Sequence, residues 1–242
     1  MQKFIVSTLS RIPYLMPALR CLYRNYEKLR LKRKYSSAED VFDDIYTSNA
    51  WHDSESISGP GSNIESTNVV RKELPLILEE YDIHSMLDIP CGDFNWMKEI
   101  NLNSVEYTGA DIVGAIISEN KKYERLGVQF KKLNIISDPL PSVDLIFSRD
   151  CLVHLSLKDI IKSLENICQT NSRYLLTTTF PKQSSNYDIA TGQWRALDLQ
   201  VAPFNFPPPV LLVSENCTEE KWKAKSLGLW EIDRIRELIS DL

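Results

Sequence analysis

Arg149, Asp150 and His154 stand close together in Ser148-Arg149-Asp150-Cys151-Leu152-Val153-His154-Leu155. Asp150 and His154 are four apart, so on a turn or short helix they share a face. Either could take a proton from a hydroxyl held at hydrogen-bond distance. Arg149 adds a cation able to hold an anionic group. Plainer roles fit too: Asp150 as a helix N-cap, His154 as a helix residue packed under a sheet. A further carboxylate, Asp111, ends Tyr107-Thr108-Gly109-Ala110-Asp111-Ile112, 19 residues past Gly92. At that spacing, set by strand–helix–strand geometry, it can accept hydrogen bonds from both hydroxyls of a ribose. Capping the next helix is its plainer role.

The elements that would position these groups alternate regularly. Strands are predicted at 84–89, Val105–Asp111, Val128–Leu133, Val143–Ser148 and Arg173–Thr179. Helices are predicted at 93–101, 114–125 and 157–169 between them, and at 66–82 before them. In that first helix Val69, Val70, Leu74, Leu76, Ile77, Leu78 and Tyr81 should face the sheet, Ser66 or Thr67 should cap it, and Pro75 should kink it. Such a βαβα rhythm means an α/β, doubly wound, mostly parallel sheet with helices on both faces. In such folds ligands bind beyond the carboxyl ends of the strands. After residue 209 come strand-like Val210–Ser214, a helical stretch near 218–225 and a last strand over Gly228–Ile235.

The central stretch is Ser85-Met86-Leu87-Asp88-Ile89-Pro90-Cys91-Gly92-Asp93-Phe94-Asn95-Trp96-Met97: an apolar strand, a tight turn, a helix start. It resembles motif I of the class I S-adenosylmethionine (SAM)-dependent methyltransferases, L-D-x-G-C-G-x-G, through Leu87-Asp88-Ile89-Pro90-Cys91-Gly92. Pro90 and Phe94 replace common glycines, which disfavours a dinucleotide fingerprint, since a pyrophosphate needs a glycine to approach the backbone. The ordered set of motif I, strand-2 acid, strand-3 Asn and strand-4 turn carries the resemblance over about residues 50–237. It looks closest to a bacterial-type branch with D-I-P-C-G-D-F-N-W, R-D-C-L-V-H-L and N-F-P-P-P.

The resemblance implies a Rossmann-like, seven-stranded sheet closed by an antiparallel hairpin, with SAM as cofactor. Pro90, Asp93 and Trp96 would help form the floor of its site, with Asp88 and the backbone of Cys91-Gly92 near the methionine moiety. Asp111 and Ile112 would meet the ribose side, and Asn134 and Ile135 the adenine, Asn134 being equally readable as a turn residue. The loop Trp51–Ser62, with Trp51, Ser58, Gly59 and Gly61, would be a flap over the methyl donor or a plain surface loop. Methyl transfer to an alcohol needs a base, His154 or Asp150. A carboxylate acceptor needs none, and Arg149 could hold it.

Residues 181–208 lack a helical period and read as a substrate-side insert, since long irregular inserts are usually functional. Trp194, Arg195, Asp198, Phe204 and Asn205 suit a small-molecule or glycan acceptor through stacking and forked hydrogen bonds, or else form a loop packed over the sheet edge. A nucleotide-dependent oxidoreductase or epimerase is disfavoured by the missing G-x-G-x-x-G. A non-catalytic SAM-binding or membrane-associated scaffold is the other class to test.

Composition sets outer bounds. The hydrophobic share of 43% and charged share of 25% are ordinary for one soluble globular domain, here read as 37–242. Residues 1–36 read as a basic amphipathic extension. Residues 1–34 carry nine Lys/Arg against Glu27, and the rest carries 19 basic against 32 acidic side chains. An acidic body disfavours nucleic acid as a substrate. Arg11 and Arg20 interrupt the apolar run, so a span of ~20 apolar residues is not available. The extension reads as an accessory helix, as a helix lying on an anionic membrane surface, or as a transit peptide. Five cysteines without CxxC spacing and three dispersed histidines suggest reduced thiols, no metal and a cytoplasmic protein; the basic extension would make it peripheral at the inner membrane surface.

Overall fold

The computed structural model describes residues 15–102 and 104–240. Seven strands form one sheet: β1 (Ser85–Asp88), β2 (Glu106–Asp111), β3 (Val128–Lys132), β4 (Leu145–Ser148), β5 (Tyr174–Thr179), β6 (Leu211–Ser214) and β7 (Ser226–Glu231). Their order is β3-β2-β1-β4-β5-β7-β6. The first five run parallel; β7 is antiparallel to both β5 and β6. β4 is buried along its whole length and β5 nearly so, as parallel strands covered on both faces must be. The chain leaves β1 toward β2 on one side and returns to β4 on the other, which opens a crevice where the order reverses.

Six α-helices among the described residues accompany the sheet: α1 (Leu15–Lys34), α2 (Ala38–Thr47), α3 (Asn68–Glu80), α4 (Gly114–Asn120), α5 (Leu157–Cys168) and α6 (Ile232–Ser240). α3 buries Val70, Leu74, Ile77 and Leu78 in one apolar cluster with Met86 and Phe147. α5 and α6 bury Ile160, Leu164, Ile167, Ile235 and Ile239 in a second cluster with Leu87 and Ile146. Neighbouring residues of β1 therefore serve opposite clusters, the period of two that defines a strand.

Several local expectations fail for identifiable reasons. The helix expected over 93–101 is reduced to the 3-10 turn Met97–Glu99. Phe94 has φ 58° and buries its ring against Tyr123 and Phe130, with centroids 5.3 and 5.0 Å away. A non-glycine residue held in the left-handed region cannot belong to a right-handed helix. The last strand stops at Glu231, because Ile232, Ile235 and Ile239 follow a helical spacing and seat α6 on α5. α3 begins at Asn68 without a side-chain cap, since the Thr67 hydroxyl donates to the Asn63 carbonyl instead. Leu76 is 56% exposed and faces away from the sheet. Residues near 218–225 form only the 3-10 turn Glu220–Trp222.

Candidate active site

A cleft open to solvent lies at the carboxyl ends of β1, β2 and β4. Asp88, the last residue of β1, lines it and accepts a 2.7 Å hydrogen bond from the Tyr107 hydroxyl. Burial drives the Asp88 carboxyl up to about 8; the Tyr107 bond opposes that rise only partly. Asp111, the last residue of β2, accepts the backbone N–H of Val113 (2.9 Å) and of Gly92 (3.2 Å). Burial still raises it to about 6. Ile112, Leu133, Ile135 and Ile136 make an apolar wall beside it. Asn134 also lines the cavity, but its Oδ1 accepts the Ile136 N–H at 2.9 Å, so it closes its own turn. Pro90, Cys91, Gly92 and Trp96 complete this side, with Ile89–Pro90 as a cis peptide.

The N-terminal segments supply the cover. Asp93 does not line the cavity. Its carboxylate accepts the Ser56 hydroxyl (3.1 Å) and the Ile57 N–H (3.0 Å), and so ties the 51–62 loop to the motif I turn. Gly92 has φ 54°, and a Cβ there would meet the Ser58 hydroxyl at 2.2 Å. Only glycine permits both the backbone angle and the close loop. Gly59 and Gly61 are also outside the lining. Gly59 packs on Trp51, and the Gly61 carbonyl accepts Arg149 Nη1 at 2.8 Å. Trp51 does line the cavity, its ring centroid 5.3 Å from that of His154. α2 adds Phe42, Ile45 and Tyr46. Sequence reasoning missed these, although their spacing marks an apolar helix face and Ser37/Asp40 form a capping box.

The turn after β4 brings Arg149, Asp150 and His154 to the cavity together. Asp150 has φ 54° and donates its N–H to the Thr178 hydroxyl at 2.8 Å. It is not the N-cap of α5; that is Ser156, whose hydroxyl accepts the Asp159 N–H. Two residues that sequence reasoning missed face this turn. Lys225 pairs with Asp150 at 2.5 Å and with Glu215 at 3.3 Å, and Arg149 pairs with Glu215 at 2.6 Å. Burial pushes the Asp150 carboxyl up, but Lys225 and Arg149 overcome it and hold Asp150 at about 2. Glu215 and Lys225 flank the inner ends of the closing strand pair, distant in sequence from the turn, so no local motif marks them. His154 Nδ1 stands 3.0 Å from the Gln193 carbonyl, which can only accept; the proton is therefore assigned to Nδ1, which leaves Nε2 as an acceptor. Burial lowers the His154 pKa from its ordinary 6.5.

By sequence, no family model and no curated protein matches the chain. By structure it is similar to human N-acetylserotonin methyltransferase in complex with SAM, at TM-score 0.58 and 14% identity over 88% of this chain and 67% of that one. It is also similar to PigF with SAH (TM-score 0.51, 11% identity, 69% of this chain and 56% of that one). The SAM-dependent methyltransferase SibL gives TM-score 0.50 and 13% identity over 68% of this chain and 55% of that one. The fold is that of the SAM-dependent methyltransferases. The chain spans little more than half of the PigF and SibL lengths.

In this methyltransferase fold, residues 181–208 are not where the acceptor-side expectation put them. None of Trp194, Arg195, Asp198, Phe204 and Asn205 lines the cavity. Arg195 is fully buried and donates to the carbonyls of Leu155 (2.8 Å) and Val153 (3.3 Å). Phe204 is 1% exposed, in the cluster with Leu197, Leu199 and Phe206. The Asp198 carboxylate accepts the Gln200 N–H, and the Asn205 amide donates to the Pro203 carbonyl. Trp194 is 39% exposed, edge-on to Phe180 and Trp222. The polar side chains thus satisfy backbone groups of an irregular segment, as buried irregular backbone requires.

Proposed function

We propose that the protein is a SAM-dependent methyltransferase that methylates a hydroxyl of a small, non-nucleic-acid acceptor, with His154 as the general base. The observation that carries this reading is one cavity holding three groups: two desolvated carboxylates at the ends of β1 and β2, and an imidazole with Nε2 left as acceptor. The residues fit SAM by donor chemistry. Asp88 and Asp111 are acceptors in a site where burial disfavours their charge, and SAM carries an ammonium, a sulfonium and a ribose diol. Asp88 would hold the ammonium and Asp111 the ribose hydroxyls, while Ile112 and Ile135 would pack on the adenine. SAM, when bound, supplies an electrophilic methyl group. The chain's own part is to orient the acceptor, exclude water and take its proton on His154 Nε2.

Arg149 favours a hydroxyl over a carboxylate acceptor. Its guanidinium is already engaged by Glu215, Asp150 and the Gly61 carbonyl. A saccharide hydroxyl fits the same chemistry as any other alcohol. Isothermal titration tests the cofactor: SAM and S-adenosylhomocysteine should bind and NAD should not, and failure of SAM to bind or to raise the melting temperature overturns the reading. Incubation with labelled SAM and a cell extract, followed by identification of the labelled product, tests the acceptor. A label confined to carboxyl esters or to nucleic acid would refute the hydroxyl assignment.

A further inference from the structure

α1 is attached to the rest of the chain by its polar side. Glu27 is buried, Lys28 pairs with Asp188, and Lys34 pairs with Asp44. Leu22, Tyr26 and Leu29 follow at i, i+4 and i+7, so they form one stripe along the helix. They are 65%, 63% and 59% exposed. A helix that only packed on its domain would bury such a stripe; here the stripe is exposed, and Arg30, Arg33 and Lys34 are exposed with it. Large exposed apolar patches rimmed by polar residues mark interaction sites.

The charge selects the occupant. Residues 15–34 carry Arg20, Arg24, Lys28, Arg30, Lys32, Arg33 and Lys34 against Glu27 alone. A second copy would set this basic helix against its like, and the two would repel. Nucleic acid would use the cations and leave the leucines in water. An anionic bilayer surface answers both features at once: the apolar side chains enter the headgroup–acyl boundary, and the cations meet anionic headgroups. We propose that α1 docks the protein on an anionic lipid bilayer. α2, which follows after Tyr35, Ser36 and Ser37, carries the cavity residues Phe42, Ile45 and Tyr46. Docking would bring that wall of the cavity toward the lipid.

The test is co-sedimentation of the full chain with vesicles of phosphatidylcholine alone, or of phosphatidylcholine and phosphatidylglycerol in equal parts, at low and high salt. The protein should pellet with the anionic vesicles, on the order of tenfold more than with neutral ones, and high salt should release it. Leu22→Glu/Tyr26→Glu/Leu29→Glu should abolish pelleting while its melting temperature stays that of the parent. Arg30→Gln/Arg33→Gln, which keeps the apolar stripe, should lose the anionic preference. Equal pelleting with neutral and anionic vesicles overturns the proposal, as does pelleting of the triple variant like the parent. So does a concentration-dependent dimer that the triple variant abolishes while vesicles capture nothing; the stripe would then be a protein interface.

Discussion

Asp88 is the place where the proposed cofactor role and stability pull apart, and Asp88→Asn measures the conflict. In the folded protein burial holds the Asp88 carboxyl at about 8, against 3.8 for an ordinary Asp. Between those pH values the folded state keeps a proton that the unfolded chain releases. Stability from this group is therefore fully present below pH 3.8 and is lost as pH rises toward 8. At about 1.4 kcal/mol per pH unit the whole loss is on the order of 6 kcal/mol, of which about 4 kcal/mol falls between pH 5 and 8. Asparagine cannot ionise and keeps an oxygen for the Tyr107 hydroxyl. The stability advantage of Asp88→Asn over the parent should thus grow with pH by that amount, a divergence in melting temperature on the order of 10 °C. Thermal unfolding followed by circular dichroism from pH 5 to pH 9 reads it directly. His154 titrates in both proteins and cancels in the difference; Asp111 repels an ionised Asp88, and losing that repulsion acts in the same direction. If the two melting curves keep a constant separation across the range, Asp88 is ionised in the folded protein and the argument is refuted. The same titration in SAM should show parent affinity still rising between pH 7 and 8, as the cation displaces the Asp88 proton, and Asp88→Asn should lose that part of the rise and keep only the Asp111 titration near pH 6.

Three other substitutions test the remaining parts of the site. Asp111→Ala should weaken SAM by about 10- to 100-fold in isothermal titration, the range for hydrogen bonds to a charged group. His154→Ala should leave SAM affinity intact and lower turnover by about 10²–10⁴-fold. In the parent the acid limb of the turnover profile should fall below pH 6.5, because burial disfavours the imidazolium; full activity of the variant would remove His154 from the mechanism. Lys225→Met leaves Asp150 and Glu215 sharing Arg149 alone, and should cost about 3–5 kcal/mol of stability in chemical denaturation. A loss under about 1 kcal/mol would mean that the buried ion group is weakly coupled.

The sheet was legible because its strands carry their own signature. β4 is an apolar run, β5 a β-favouring run of Tyr, Leu and Thr, and Asp88 and Asp111 mark strand ends. The turn after motif I was not legible, because Phe94 at φ 58° answers to a tertiary cluster with Tyr107, Tyr123 and Phe130, which no local pattern reports. The strand read through Ile235 shows the opposite weakness. Leu227, Leu229 and Trp230 run into Ile232 and Ile235 with only Glu231 and Asp233-Arg234 between them and with no Gly or Pro to end the strand, so the passage from strand to helix period is hard to place. Lys225 and Glu215 could not be found from sequence at all, since they meet Arg149 and Asp150 only after β6 and β7 pair with the sheet.

The insert and the N-terminal segment divide the work around His154 between support and cavity lining. Residues 181–208 have the aromatic and forked polar side chains of a binding loop, yet they spend them on support. The Gln193 carbonyl fixes the His154 tautomer, and Arg195 holds the carbonyls of Val153 and Leu155 on either side of that histidine. The stretch 38–62, of which 51–62 reads as a flap over the methyl donor or a surface loop, lines the cavity with Phe42, Ile45 and Tyr46 from α2 and with Trp51 against the His154 ring. Substitutions in the insert should therefore act on turnover through the position of His154, and substitutions in 38–62 should act on which acceptor is taken. Arg195→Met against Tyr46→Ala is the decisive pair. The first should depress turnover for every acceptor alike, and the second should change the ratio of turnover between a small and a bulky one. The reverse pattern would return acceptor recognition to the insert.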